Sequence, residues 1–203
     1  DKGSFFDLLK IRQLWFILPL VLIHYAPVAG IRGLWIGPYI NDNFYSASNL
    51  AFATTAMSLA MIAGTFAYGP MDRVFSTRKW IVFIGSSVSL VSLISLALFN
   101  EISFNVAVFL FCTLGFFGMS YPLMIAHGRS FSPENLTGRC VTLLNMFAIG
   151  GVGIFQFLTG RIFSKLTEVH NNNHEAYTII FLFYASALSL GLILYLKSKD
   201  RLD

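Results

Sequence analysis

Trp80-Ile81-Val82-Phe83-Ile84-Gly85-Ser86-Ser87-Val88-Ser89-Leu90-Val91-Ser92-Leu93-Ile94-Ser95-Leu96-Ala97-Leu98-Phe99 runs for twenty residues without a charge. As a helix, at about 1.5 Å per residue, it matches the ~30 Å thickness of a bilayer's hydrocarbon core. Its polar groups are serine hydroxyls, which can bond back to the helix or across to a neighbour. Working outward, the same character recurs over residues 14–41, 47–70, 105–126, 139–163 and 177–196, giving six spans with short connections. Short connections force antiparallel neighbours and so predict one all-α, six-helix transmembrane domain covering residues 1–203.

Composition excludes the soluble classes. Apolar residues are 56% of the chain, charged residues only 12%, and the mean hydropathy is +0.68; soluble domains carry about 25% charged residues. The excess positive charge is topological. Lys2, Lys10, Arg12, Arg73, Arg78, Lys79, Arg129, Arg139, Lys197, Lys199 and Arg201 fall on one side of the six spans, eleven of the fourteen basic residues. Only Arg161 and Lys165 fall on the other, and Arg32 lies within the first span. The positive-inside rule then places both termini in the cytoplasm. Nothing in this pattern calls for nucleic acid. Cys112 and Cys140 form no CxxC motif or Cys/His cluster, so neither a disulfide framework nor a zinc site is indicated. No cofactor is expected.

No cleavable signal is evident. Ser4 and Asp7 suit a capping box opening a short lead-in helix, whose Phe and Leu side can lie on the inner membrane surface. The chain begins without Met and is expected to be part of something longer. Asn41-Asp42-Asn43 and Asn100-Glu101 are expected as external turns, and residues 164–176 as the longest external connection.

Polar groups single out four spans. On a regular helix, His24, Val28, Arg32, Trp35 and Tyr39 share an arc of about 80°. Opposite them lie Ala26, Ala29, Gly30, Gly33 and Gly37, small residues that admit a close neighbour. Arg32 either serves a ligand or gate, attracting a carboxylate-bearing group, or snorkels or pairs internally. His24 either handles substrate or a proton, or is a packing histidine. Pro27, Gly37 and Pro38 should bend or interrupt this helix. In the fifth span Thr142, Asn145, Gln156 and Thr159 form a polar stripe, for substrate or for interhelical bonds. The second span offers Ser48, Asn49, Thr54, Thr55, Ser58, Thr65 and Tyr68, and the fourth Met119, Tyr121 and Pro122, with Gly115 and Gly118 nearby. Four polar or distorted helices around a cavity, with the third and sixth outside, is the expected arrangement.

An intramembrane enzyme is disfavoured by the lack of HExxH, paired carboxylates or a Ser/His pair within the spans. His170 and His174, at i and i+4 in an Asn-rich loop, are a weak metal candidate.

Tyr68-Gly69-Pro70-Met71-Asp72-Arg73-Val74-Phe75-Ser76-Thr77-Arg78-Lys79-Trp80 resembles the Gly-x-x-x-Asp-Arg…Gly-Arg-Arg loop of the major facilitator superfamily, with the leading Gly displaced by one and the second Gly absent. Gly33-Leu34-Trp35-Ile36-Gly37-Pro38-Tyr39 resembles the end of the seventh helix in bacterial facilitators. Arg129 to Arg139 resembles the loop between their tenth and eleventh helices, leading into a glycine-rich helix bearing Asn145. In order, these stretches are similar to helices seven to twelve, the C-terminal half. The resemblance implies secondary active transport of a small solute by alternating access, in a bacterial-type inner membrane. It also implies an N-terminal six-helix half of the same polypeptide as partner, and a coupling proton that only His24 in this half is placed to carry. Candidate substrate-binding residues are His24, Arg32, Trp35, Asn145 and Gln156. Asp72, Arg73 and Arg78 form the expected gating loop, with Asp72 and Arg73 latching one conformation. Independently, Asp72 is placed to accept from a helix N-terminus, and Ser132-Pro133-Glu134 to open the fifth span as N-cap, first-turn proline and acid. The rival reading is a membrane-embedded binding or assembly subunit that does not transport.

Overall fold

The computed structural model describes residues 5–44, 46–99, 103–170 and 173–202, without the side chains of Phe5, Val169 and His170. Ser4, Asn100-Glu101 and the His170 member of the histidine pair therefore lie outside what is described. Six helices are long and apolar enough to cross a membrane: α1 (Arg12–Phe44), α2 (Ala47–Tyr68), α3 (Lys79–Leu98), α4 (Phe104–Arg129), α5 (Glu134–Glu168) and α6 (Asn173–Tyr195). All six coincide with the spans expected from hydropathy.

The external ends run further in helix than the loops had suggested. Asn41-Asp42-Asn43 belongs to the last helical stretch of α1, Ile36–Phe44. Asn43 Nδ2 donates to the Tyr39 carbonyl (2.8 Å), and the Asp42 carboxylate accepts from Tyr177 (2.7 Å) and Asn173 (2.8 Å) on α6. Residues 164–170 continue the preceding helix, because no Gly or Pro interrupts the chain between Arg161 and Asn173.

Two helices are broken. Pro27 has no N–H to return to the preceding turn, and α1 stops at His24 and restarts at Ala26. It then makes one π-helical turn, Ile31–Trp35, closed by the Ile36 N–H on the Ile31 carbonyl. In α4 the break falls at Met119-Ser120, ahead of Pro122.

Within a membrane, association rests on close packing and hydrogen bonds rather than water exclusion. α2 packs on α4, α4 on α3, α3 on α6, and α6 on α1 and α5. A Cβ at Gly64 of α2 would strike the Phe116 carbonyl of α4, and one at Gly151 of α5 would strike the Leu22 carbonyl of α1. These two glycines set the helix separations. At Gly33 and Gly37, expected to do so, an added Cβ would meet its nearest neighbours only at ordinary contact distances of 3.8 and 3.9 Å. Burial is uneven: 67% of the apolar window of α1 is covered, against 17% for α2 and 28% for α5. α1 is thus the central helix, and α2 and α5 present the most uncovered surface.

Candidate functional site

The π turn changes which way α1 points its side chains. One extra residue per turn rotates everything beyond it, so the arc drawn on a regular helix does not survive. His24, Arg32 and Trp35 face three different neighbours. His24 is buried between α3 and α4: Ser86 Oγ lies 3.0 Å from Nδ1 and Ser120 Oγ 3.0 Å from Nε2. Ser86 already donates to the Val82 carbonyl (2.7 Å), so Nδ1–H donates to Ser86 and Ser120 donates to Nε2. A neutral ring is fully satisfied there. Trp35, also buried, donates through Nε1 to Thr159 Oγ1 of α5 (3.1 Å) and lies 5.0 Å from the Phe163 ring.

Arg32 is exposed and turns to α2, where its Nε donates to Ser58 Oγ (2.9 Å). Ser58 is the twelfth of the 22 residues of α2, so Arg32 points to mid-depth rather than snorkelling to a headgroup region. With Ser58, Met61, Ile62, Thr65 and Met119 it lines a hollow of about 260 Å³.

The breaks of α1 and α4 lie side by side. Tyr25 stacks on Tyr121, centroids 5.3 Å apart, beside the His24–Ser120 bond. Tyr121 also donates its hydroxyl to Asn145 Oδ1 of α5, and Asn145 Nδ2 donates to the Val141 carbonyl (3.0 Å). Both ends of that amide are therefore engaged. Gln156 is half-buried, its Nε2 lying over Gly33 of α1. Asn145 and Gln156 thus meet different helices, α4 and α1.

The basic end, cytoplasmic by the charge rule, departs most from expectation. Asp72 pairs with Arg78 (3.0 Å), while Arg73 is exposed. Asp72, Arg73, Arg78 and Arg129 line a cavity of about 580 Å³ that also reaches Thr65 and Leu202. Asp72 does not cap α3. That role belongs to Asp200 of the C-terminal tail, whose carboxylate accepts from Thr77 Oγ1 and from the backbone N–H groups of Arg78 (3.2 Å) and Lys79 (3.0 Å). In return, buried Lys79 donates to the carbonyls of Leu196 (2.7 Å) and Ser198 (2.6 Å) beyond the end of α6. His127 of α4 is fully buried, donates through Nε2 to the Lys199 carbonyl (2.9 Å), and lies 2.7 Å from the Tyr195 hydroxyl. Ser132 likewise turns back, donating to the Arg129 carbonyl (2.8 Å), so α5 opens on a 3₁₀ turn at Glu134–Leu136 without a side-chain cap.

Desolvation pushes the Asp200 carboxyl up, but the hydrogen bonds from Thr77 and from the Lys79 and Arg78 backbones outweigh it. The net effect holds Asp200 below the usual carboxylate range. Its importance was hidden in a tail whose charges served only to orient the chain. Its signal would have been an acid able to reach the helix opening at Lys79, a contact spanning 121 residues.

No family model matches the chain, and no curated protein matches it in sequence. Solved structures do match. The xylose transporter XylE from E. coli, in its inward-open conformation, aligns with a TM-score of 0.71 over 97% of this chain, at 17% identity. The chain has the fold of one half of a major facilitator transporter. It spans 48% of the length of the xylose transporter, and at this identity the correspondence is one of fold.

Proposed function

We propose that this chain is the C-terminal half of a secondary transporter that moves a small solute by alternating access across a bacterial-type inner membrane. Its residues 1–203 act as one six-helix unit beside an N-terminal half of the same polypeptide. The observation that carries this is the pair of broken helices packed break to break, α1 at Tyr25 and α4 at Met119-Ser120, within a fold shared with a transporter half. Interrupted helices free backbone groups and let half-helices reorient around a midplane site. We assign Arg32 to the solute, and Asn145 and Gln156 to its surroundings. His24 and Trp35 join α1 to its neighbours. Asp72 and Arg78 form the latch, with Arg73 beside them facing the cavity.

Reconstitution of the full-length protein tests this. Spin labels at exposed Val74 and on the partner half should give two distance populations, whose balance moves when a transported solute is added. A single unchanging distance, with no uptake, would establish the binding-subunit reading instead. Asp72→Asn should shift the balance between populations; unchanged exchange would remove the latch.

A further inference from the structure

The hollow around Arg32 and the larger cavity at the basic end are neighbours along α2. Thr65 lines both. Ser58, Thr65 and Gly69 lie within a narrow arc of one helix face, so the two hollows follow one another along α2, a track from mid-depth to the mouth at the basic end. Its charge is one-sided. Arg73, Arg78 and Arg129 line the mouth and Arg32 the inner end, against a single carboxylate among the described lining residues, Asp72, which is paired with Arg78.

Donor accounting narrows the ligand. Ser58 donates its hydroxyl hydrogen to the Thr54 carbonyl (2.7 Å), and Thr65 donates to the Met61 carbonyl (3.0 Å). Neither has a proton left for a solute. Arg32 spends Nε on Ser58, which leaves the two Nη groups of its fork as the donors of the inner hollow. A polyhydroxylated solute asks for donors and acceptors in alternation, whereas here the donors are gathered in one cationic fork. An oxyanion asks for donors alone, and a guanidinium fork meets it bidentately. The remaining walls, Met61, Ile62 and Met119, suit a short apolar body.

We infer that this half selects a small organic anion, an oxyanion head on an apolar body, drawn along the arginine-lined track and held by Arg32. The inference rests on the transport reading above. A field of one sign in a low-dielectric cleft concentrates counter-charged ligands and makes their capture salt-sensitive.

The test is uptake of benzoate, succinate and D-xylose by proteoliposomes of the full-length protein, in wild type, Arg32→Gln, Arg32→Lys and Arg129→Gln. Label-distance measurements on the same samples accompany the uptake. At least one of the two anions should be taken up and D-xylose should not. Arg32→Gln should cut anion uptake at least a hundredfold, with Arg32→Lys recovering part of it. Arg129→Gln should slow uptake at low salt and much less at high salt. D-xylose uptake that survives Arg32→Gln, anion uptake indifferent to it, or conformational exchange with neither anion moved would each overturn the anion assignment and leave transport standing. Absence of both uptake and exchange would remove the transport reading, and the anion assignment with it.

Discussion

Lys79 and Arg32 are both cations within the bundle, and the protein treats them in opposite ways. Lys79 sits at the mouth of α3, buried, with two carbonyls of the tail on its ammonium and the Trp80 ring 5.2 Å away. Arg32 sits at mid-depth, exposed, with one hydroxyl on its Nε. An ammonium whose donors end on backbone carbonyls closes a helix end. A fork held by one edge is oriented and still has donors to offer. The basic end is built as a clasp, in which Asp200 caps α3 while Lys79 closes the chain beyond α6. In the middle, α1 meets α2, α3, α4 and α5 through contacts between individual polar side chains, which a rearrangement can exchange.

The comparison breaks first at the clasp. Lys79→Met strands two carbonyls and should cost about 3 kcal/mol, because unsatisfied buried acceptors keep their full desolvation penalty. Thermal unfolding in detergent measures it; a loss under about 1 kcal/mol would show that Lys79 closes nothing.

Asp200→Asn weakens the reciprocal cap and should cost about 1 kcal/mol near neutral pH. Its carboxyl lies below the usual range in the folded protein. Its contribution is therefore complete above the ordinary carboxylate pKa and lost as pH falls through the folded value. Unfolding midpoints measured from pH 7 to pH 3 should show the gap between wild type and variant closing at the acid end. A gap that widens there would reverse the assignment.

Trp35→Phe keeps most of the ring packing and loses the bond to Thr159, so about 1 kcal/mol is expected. Thr159→Ala in the same background should add little, a double-mutant cycle that isolates the α1–α5 contact. Arg32→Gln, the smallest effect on stability, should leave the unfolding midpoint at its wild-type value while uptake is lost. A large drop in Tm would place Arg32 with Lys79 among the structural cations and erase the contrast.

The six spans, their antiparallel order and the side carrying the charge were legible because hydropathy and positive charge are read along the chain, residue by residue. The direction of a side chain around α1 was not. An arc drawn at 100° per residue assumes an unbroken α-helix, and Pro27 and the π turn at Ile31–Trp35 rotate Arg32 and Trp35 away from His24. The loop motif pointed to Asp72, yet its partner is Arg78 rather than Arg73, because the short helix Met71–Phe75 and the left-handed Ser76 (φ 51°) bring the basic end of the loop back over it.

By itself the sequence determined that this chain lives in a membrane, how often it crosses, which end of the bundle carries the positive charge and which helices carry polar groups. Each of those follows from the cost of placing a given side chain in hydrocarbon, which is local. Only the tertiary structure decided that Asp200 caps α3, that His24 bridges two serines and that Arg32 turns to Ser58 of α2. Those contacts join residues 62 to 123 positions apart, or depend on a register that one inserted helical residue changes.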